Sequence, residues 1–133
     1  MKVLIVSSSH RLMTSLVVYF AAAGYEVLTA TNTVAALGMI MGEEPDLVIL
    51  ELDERGPDAC WQIRSVSQVP LIALCAGSET ERIMALYRGA DICLAMPVDY
   101  ESLLAHSRAL LLREHREWLP LSVQMKDPWL ATG

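Results

Sequence analysis

Hydrophobic and polar positions along this chain follow two alternating regimes. Short, continuous apolar runs give way to longer stretches in which apolar residues recur at helical spacing. Val3-Leu4-Ile5-Val6 is the first run and is broken by Ser7-Ser8-Ser9. From His10 to Ala23, residues Leu12, Met13, Leu16, Val17 and Phe20 keep a helical period, and Gly24 supplies the stop. Glu26 to Ala30 reads as a second strand. A helix capped by Asn32 or Thr33 then runs to about Met41 and is closed by Gly42. Leu47 to Leu50 is the third strand, and Asp58 opens a short helix through about Val66. Pro70 to Leu74 is the fourth strand, followed by a helix with capping-box spacing at Ser78 and Glu81 that ends near Arg88-Gly89. Ile92 to Ala95 is the fifth strand, and Asp99 caps a last helix from Tyr100 to about Trp118.

Fully apolar runs bounded by polar residues are strands buried on both faces. Strands separated by helices predict a parallel sheet with right-handed crossovers and helices on both sides, an α/β doubly wound fold. No internal repeat or low-complexity segment interrupts the order. Residues 1–118 therefore read as one domain. From Leu119 to Gly133 the helical period ends, with Pro120 and Pro128 inside it, and 119–133 reads as a tail or a linker to a possible absent output domain.

Composition narrows the function classes. A chain of 133 residues that is 53% hydrophobic, with a mean hydropathy of +0.36, can bury a core without metals or disulfides. Its net charge of -6 and lack of a basic stripe argue against nucleic-acid binding by this domain. The uncharged stretch Leu12 to Tyr25 contains Thr14, Ser15 and Gly24, which suits a buried helix better than a membrane span. Met1-Lys2 leads straight into a strand, and nothing in these first residues resembles a signal peptide. Three cysteines without metal-ligand spacing point to free thiols in a reducing cytoplasm.

Candidate chemistry sits where the strands end, because ligands of open α/β sheets gather just past the carboxyl ends of the strands. Glu51 closes the most hydrophobic stretch of the middle third, Asp46 to Glu51. Ser7-Ser8-Ser9 precede a helix N-terminus and read either as an anion-binding turn or as a source of the helix N-cap. Asp53, Glu54 and Asp58 make the following loop acidic, and a solvated polar loop is the simpler reading than a cation site. Cys75 and Cys93 lie on adjacent strands, either as small hydrophobes or as an oxidisable pair. Cys60 beside Trp61 reads as packing. His10, His106 and His115 share no common spacing and read as surface residues. On the last helix Leu103, Leu104, Leu110 and Leu111 can face the sheet, which leaves Leu112 and Trp118 to find cover elsewhere. On the preceding helix Ile83, Met84, Leu86 and Tyr87 exceed what one buried stripe requires. Such surplus apolar surface marks a protein contact.

The order and spacing of several stretches resemble the receiver domain of two-component response regulators. Lys2-Val3-Leu4-Ile5-Val6, Ala23-Gly24-Tyr25-Glu26-Val27, Pro45-Asp46-Leu47-Val48-Ile49-Leu50, Val69 to Leu74, Gly89-Ala90-Asp91 and Met96-Pro97 carry the likeness, over residues 2 to about 116. The resemblance implies a flavodoxin-like (βα)5 sheet with strand order 2-1-3-4-5 and a cis bond at Met96-Pro97. It also implies phosphoryl transfer from a histidine kinase to an aspartate ending the third strand. That reaction uses Mg²⁺ held by that aspartate and an acidic pair, with a hydroxyl and a lysine on the phosphoryl oxygens.

Position by position, this chain departs from that pattern. The acidic pair falls on Ser7 and Ser8, the acceptor on Glu51, the hydroxyl on Cys75, the lysine on Met96 and the switch aromatic on Cys93. Neutral serines displace water from Mg²⁺ poorly, Met96 carries no charge and Cys75 is a weak donor. The chain is thus expected to be a degenerate, CheY-like pseudo-receiver with no enzymatic activity, no cofactor and Mg²⁺ binding lost. It would act in signal transduction or transcription regulation through a protein partner or a homodimer. The expected contact is the face of fourth helix, fifth strand and fifth helix (Ile83, Met84, Tyr87, Leu112, Trp118) or that of the first and fifth helices. Glu51 could mimic a phosphorylated acceptor or be a solvated strand-end residue. Three alternatives stand beside this reading: a redox or small-ligand sensor using Cys75, Cys93 and the Ser7–Ser9 turn, a receiver phosphorylated on Glu51, and a purely structural dimerisation module.

Overall fold

Each apolar run becomes a strand because its residues are covered from both sides. A computed structural model of the protein describes residues 1–53 and 56–116. Its elements are β1 (Lys2–Val6), α1 (His10–Ala22), β2 (Glu26–Ala30), α2 (Thr33–Glu43), β3 (Leu47–Glu51), α3 (Asp58–Arg64), β4 (Leu71–Cys75), α4 (Glu79–Tyr87), β5 (Ile92–Ala95) and α5 (Tyr100–Arg116). The five strands form one parallel sheet in the order β2-β1-β3-β4-β5, the expected doubly wound, flavodoxin-like arrangement. Glu54, Trp118, the side chain of His115 and the proposed 119–133 tail lie outside the described residues.

The period of two along each strand divides the core. Val3, Ile5, Leu47, Ile49, Ile72 and Leu74 face α1 and α5, packing on Leu16, Phe20, Leu103 and Leu110. Leu4, Val6, Val48, Leu50, Ala73 and Cys75 face the other way, onto Ala36 and Ile40 of α2, Ile63 of α3 and Ala85 of α4. The leucines assigned to the sheet side of α5 are there: Leu103, Leu110 and Leu111 are buried and Leu104 is half-buried.

Capping follows the local sequence with two corrections. Ser9, Asn32 and Asp99 accept hydrogen bonds from the amides of Leu12, Ala35 and Ser102 at 3.2, 2.8 and 3.2 Å. Gly42, expected to close α2, is instead helical. The helix ends at Glu43, and Glu44 takes the left-handed cap at φ 48°. Pro45 is the reason: a residue before proline is disfavoured in the right-handed helical region, so the helix must stop at position 44 whatever residue stands there. At α4, Ser78 accepts from Glu81 N as a capping box requires, but the Glu81 carboxylate accepts from Ala76 N at 3.2 Å, not from the cap residue's own amide. Smaller shifts move β4 one residue later than expected and end α3 at Arg64.

Arg64 joins the ends of three segments. Its Nε donates to Gly89 O at 2.8 Å, Nη1 to Val69 O at 2.6 Å, and Nη2 to Asp91 Oδ2 at 2.8 Å, while the same carboxylate oxygen accepts from Leu71 N at 2.8 Å. Gly89, at φ +122°, permits this twice over, since a Cβ there would collide with the Arg64 side chain. The guanidinium is mostly buried, so its removal leaves the carbonyls of Ser67, Val69 and Gly89 without its hydrogen bonds and Asp91 without its guanidinium partner. Arg64→Met is expected to lower unfolding free energy by about 2–3 kcal/mol with an unchanged denaturant slope. A urea titration showing a loss below about 0.5 kcal/mol would mean that water replaces the network at little cost.

Candidate functional site at the carboxyl end of the sheet

A parallel sheet brings all its strand ends to one side. Ser7 directly follows β1, Glu51 ends β3, Cys75 ends β4 and Met96 directly follows β5. Because Val6 pairs with Leu50 in the β1–β3 register, Ser7 and Glu51 leave the sheet side by side.

Glu51, expected either as a mimic of a phosphorylated acceptor or as a solvated strand-end residue, is half-buried and hydrogen-bonded within the protein. Ser7 Oγ donates to Glu51 Oε1 at 2.7 Å, and Ser7 is only 3% exposed. The hydroxyl is held in turn by Ser9 N, which donates to it at 3.0 Å, and Ser7 N donates to Ala30 O at 3.1 Å. Ser9 Oγ is the α1 cap. Two of the three serine hydroxyls are therefore committed within the protein, and only Ser8 is exposed. This favours the N-cap reading of the turn over the anion-binding one.

The other positions are apolar or nearly so. Cys75 Sγ donates to Leu94 O at 3.6 Å. Cys93 is buried, and burial together with a hydrogen bond to the Cys75 thiol pushes its own thiol up to about 12. Burial pushes Cys60 up to about 11, against the lowering effect of Arg64. Met96 packs against the α1/α5 core, its amide donates to Cys75 O at 2.7 Å, and the bond to Pro97 is cis as the motif implied. Of the acidic loop, Asp53 is exposed and Asp58 pairs with Arg88 at 3.4 Å on the surface. Among the described residues, no three His, Cys, Asp or Glu side chains converge in a way that could hold a metal ion. His10 and His106 are both exposed, as expected.

The Ser7–Glu51 bond spans 44 residues of sequence and had no sequence signal beyond the adjacency of β1 and β3. Of the residues expected to meet a partner, Ile83, Met84 and Tyr87 of α4 and Leu112 of α5 are exposed, as is Leu86, with Tyr87 at 88%. Among the described residues no helix is long and apolar enough to cross a membrane.

Two outcomes follow from this geometry. Ser7→Ala removes a buried hydroxyl bonded to both a carboxylate and an amide, and is expected to cost about 1.5–3 kcal/mol in a urea titration. Glu51→Gln keeps an acceptor for Ser7 and should cost less than Ser7→Ala; the reverse order would contradict the bond. The folded protein also holds thiol protons that the unfolded chain releases near pH 9. Its thiol contribution to stability is thus complete below pH 9 and declines as pH rises through about 11 to 12. At pH 8, Cys60 and Cys93 should react with a disulfide reagent at least about a hundredfold more slowly in the folded than in the unfolded protein. Equal rates would contradict the buried placement.

Comparison with known proteins agrees with this architecture. Residues 3–108 match the family model of the response regulator receiver domain. The chain is 37% identical over 124 residues to the response regulator MprA of Mycobacterium avium, covering 88% of this chain and 54% of that protein. It is 31% identical over 121 residues to the transcriptional regulatory protein YxdJ of Bacillus subtilis, covering 88% and 53%. The chain thus spans about half the length of the curated relatives it matches. Among solved structures, a two-component response regulator from Clostridium difficile superposes with a TM-score of 0.80 at 27% identity, covering 85% of this chain and 97% of the other. By its sequence match and its fold, the chain belongs to the response regulator receiver domain family.

Proposed function

We propose that this receiver domain works without phosphorylation, as a protein–protein interaction module in signal transduction or transcription regulation. The observation that carries the reading is the direct hydrogen bond from Ser7 to Glu51 at 2.7 Å. Where the family pattern puts a divalent ion between strand ends, this chain offers one carboxylate already engaged by a neutral hydroxyl. That donor set fits Mg²⁺ poorly, since the ion gives up its hydration water only for charged oxygen ligands in octahedral geometry. Met96 leaves the phosphoryl group without a cation, and Cys75 points its sulfur at a backbone carbonyl. The domain is accordingly neither a catalyst nor a metal binder, and a modified Glu51 would be uncompensated. Glu51 is also a poor mimic of a phosphorylated acceptor, because its carboxylate is turned to β1.

The output surface follows from α4. Only Ala85 of that helix is buried, while Ile83, Met84, Leu86 and Tyr87 are exposed together. A contiguous apolar face of this kind serves a protein partner or a second copy of the chain. The α4 side is favoured over the α1/α5 side because of that clustering. A cytoplasmic regulator fits the buried, unoxidised thiols. The name of the transcriptional regulatory protein YxdJ, of which this chain covers 53%, suggests a transcription regulator in which this domain controls an output domain. The redox alternative on Cys75 and Cys93 is disfavoured because both are buried and burial pushes the Cys93 thiol up, whereas the thiolate is the reactive form.

Analytical ultracentrifugation tests the surface. Ile83→Glu with Tyr87→Glu should abolish self-association, or capture of the cognate partner, while leaving the circular dichroism spectrum unchanged. Mg²⁺ with beryllofluoride should not alter that association. Association that survives both substitutions, or that strengthens with beryllofluoride, would refute the proposal.

A further inference from the structure

α2, α3 and α4 form one layer on the sheet, with α2 against β1 and β2 and α4 against β4 and β5. α3 touches both, packing beside α2 and pairing Asp58 with Arg88 at the end of α4. α2 and α4 therefore stand at opposite edges of that layer. From Val34 to Gly42 no side chain of α2 is polar. Ala36 and Ile40 are buried against the sheet, yet Val34, Ala35, Gly38, Met41 and Gly42 are exposed. These outward positions keep the i, i+1, i+4, i+7, i+8 spacing of a helix face suited to burial. Val66, just after α3, lines one cleft with Met41, and Trp61 of α3 is 58% exposed.

The outer faces of α2 and α4 differ in shape. α4 carries a ridge of large side chains, with Ile83 and Tyr87 one turn apart and Met84 beside them. α2 carries hollows. A Cβ at Gly38 or Gly42 would meet nothing within 4 Å, so the chain's own packing does not require glycine at either position. Glycine weakens a helix interior, but it lets another helix approach closely. Ridges pack into hollows. Two α4 ridges set against each other offer no hollow to fill, whereas a ridge of α4 set on α2 does.

Charge gives the same pairing. Arg82 is an exposed cation flanking the α4 ridge, and Glu44 is an exposed acid where α2 ends. Among the described residues neither takes part in an ion pair. Opposite charges beside matched apolar faces fix the register of a contact. We propose that α4 of one copy of this chain docks on the α2 face of a second copy, with Val34, Gly38 and Met41 receiving Ile83, Met84 and Tyr87. The proposal rests on the reading of α4 as the contact surface and names what that surface meets. Because the two faces stand at opposite edges of one layer, both can be engaged at once, and the assembly is head-to-tail.

Sedimentation velocity on the full chain and two variants tests this. Gly38→Glu with Met41→Glu changes only exposed helical positions, and Ile83→Glu with Tyr87→Glu changes only the α4 ridge; circular dichroism checks that both variants keep the fold. The unsubstituted chain is expected to associate with rising concentration, and each variant alone to remain a monomer. An equimolar mixture of the two variants is expected to sediment as a dimer and nothing larger, since each supplies the face that the other lacks. Variants that are monomeric both alone and mixed would overturn the head-to-tail contact in favour of a two-fold one. An α2 variant that associates like the unsubstituted chain, beside a monomeric α4 variant, would overturn this inference and leave the α4 reading standing. An α4 variant that still associates would overturn both, and an unsubstituted chain that stays monomeric would overturn the assignment of a second copy.

Discussion

A single hydrogen bond between two strand ends, Ser7 to Glu51, determines what the carboxyl end of this sheet can do. A doubly wound sheet leaves no freedom in where its strands finish. The register that buries Val6 and Leu50 also brings the residues after them together. A carboxylate fixed at that point, partly shielded from water, needs a counter-charge or donors. Serines stand where the family pattern has its acidic pair, and methionine stands where it has the lysine. The Ser7 hydroxyl is the donor that remains. It satisfies Glu51 while its own oxygen is tied to the amide of Ser9, so the end of β3 is linked through β1 to the start of α1.

The two faces of the sheet are secured differently, and this bears on where a partner could act. The α1/α5 face is filled by large side chains, Phe20, Leu16, Leu103 and Leu110 among them. The other face is built largely of small residues and thiols, including Ala36, Ala59, Cys60, Ala73, Cys75, Ala85 and Cys93. There the polar network of Arg64 and Asp91 supplements the packing, tying the end of α3 to the starts of β4 and β5. α4 buries a single alanine and depends on its caps for definition. A helix so lightly anchored, with its large apolar residues outward, gains burial only by meeting another surface.

Much of this fold was legible in the sequence because its signals are local. Four- and five-residue apolar runs, Ser9, Asn32 and Asp99 as caps, and the surplus apolar residues of α4 and α5 each depend on neighbours a few positions away. The family pattern then placed Ser7, Glu51, Cys75 and Met96 at one end of the sheet. What the sequence did not disclose depends on distant partners. Glu51 was open between a charge mimic and a solvated residue because its donor stands 44 positions away. Arg64 carried no pattern at all, since its carbonyl and carboxylate acceptors lie on two separate loops. The end of α2 was misjudged for a local reason: the veto of Pro45 on position 44 outweighed the stop signal of Gly42.

The central claim is that the family fold persists here without the family's phosphoryl chemistry. Intact-mass spectrometry of the full chain after incubation with acetyl phosphate and Mg²⁺ tests it most directly, with a phosphorylatable receiver treated in parallel. The account predicts an unchanged mass for this protein while the control gains a phosphoryl group. A Mg²⁺-dependent gain of one phosphoryl group, lost in Glu51→Ala, would contradict it and make this domain a phospho-switch that uses glutamate as its acceptor.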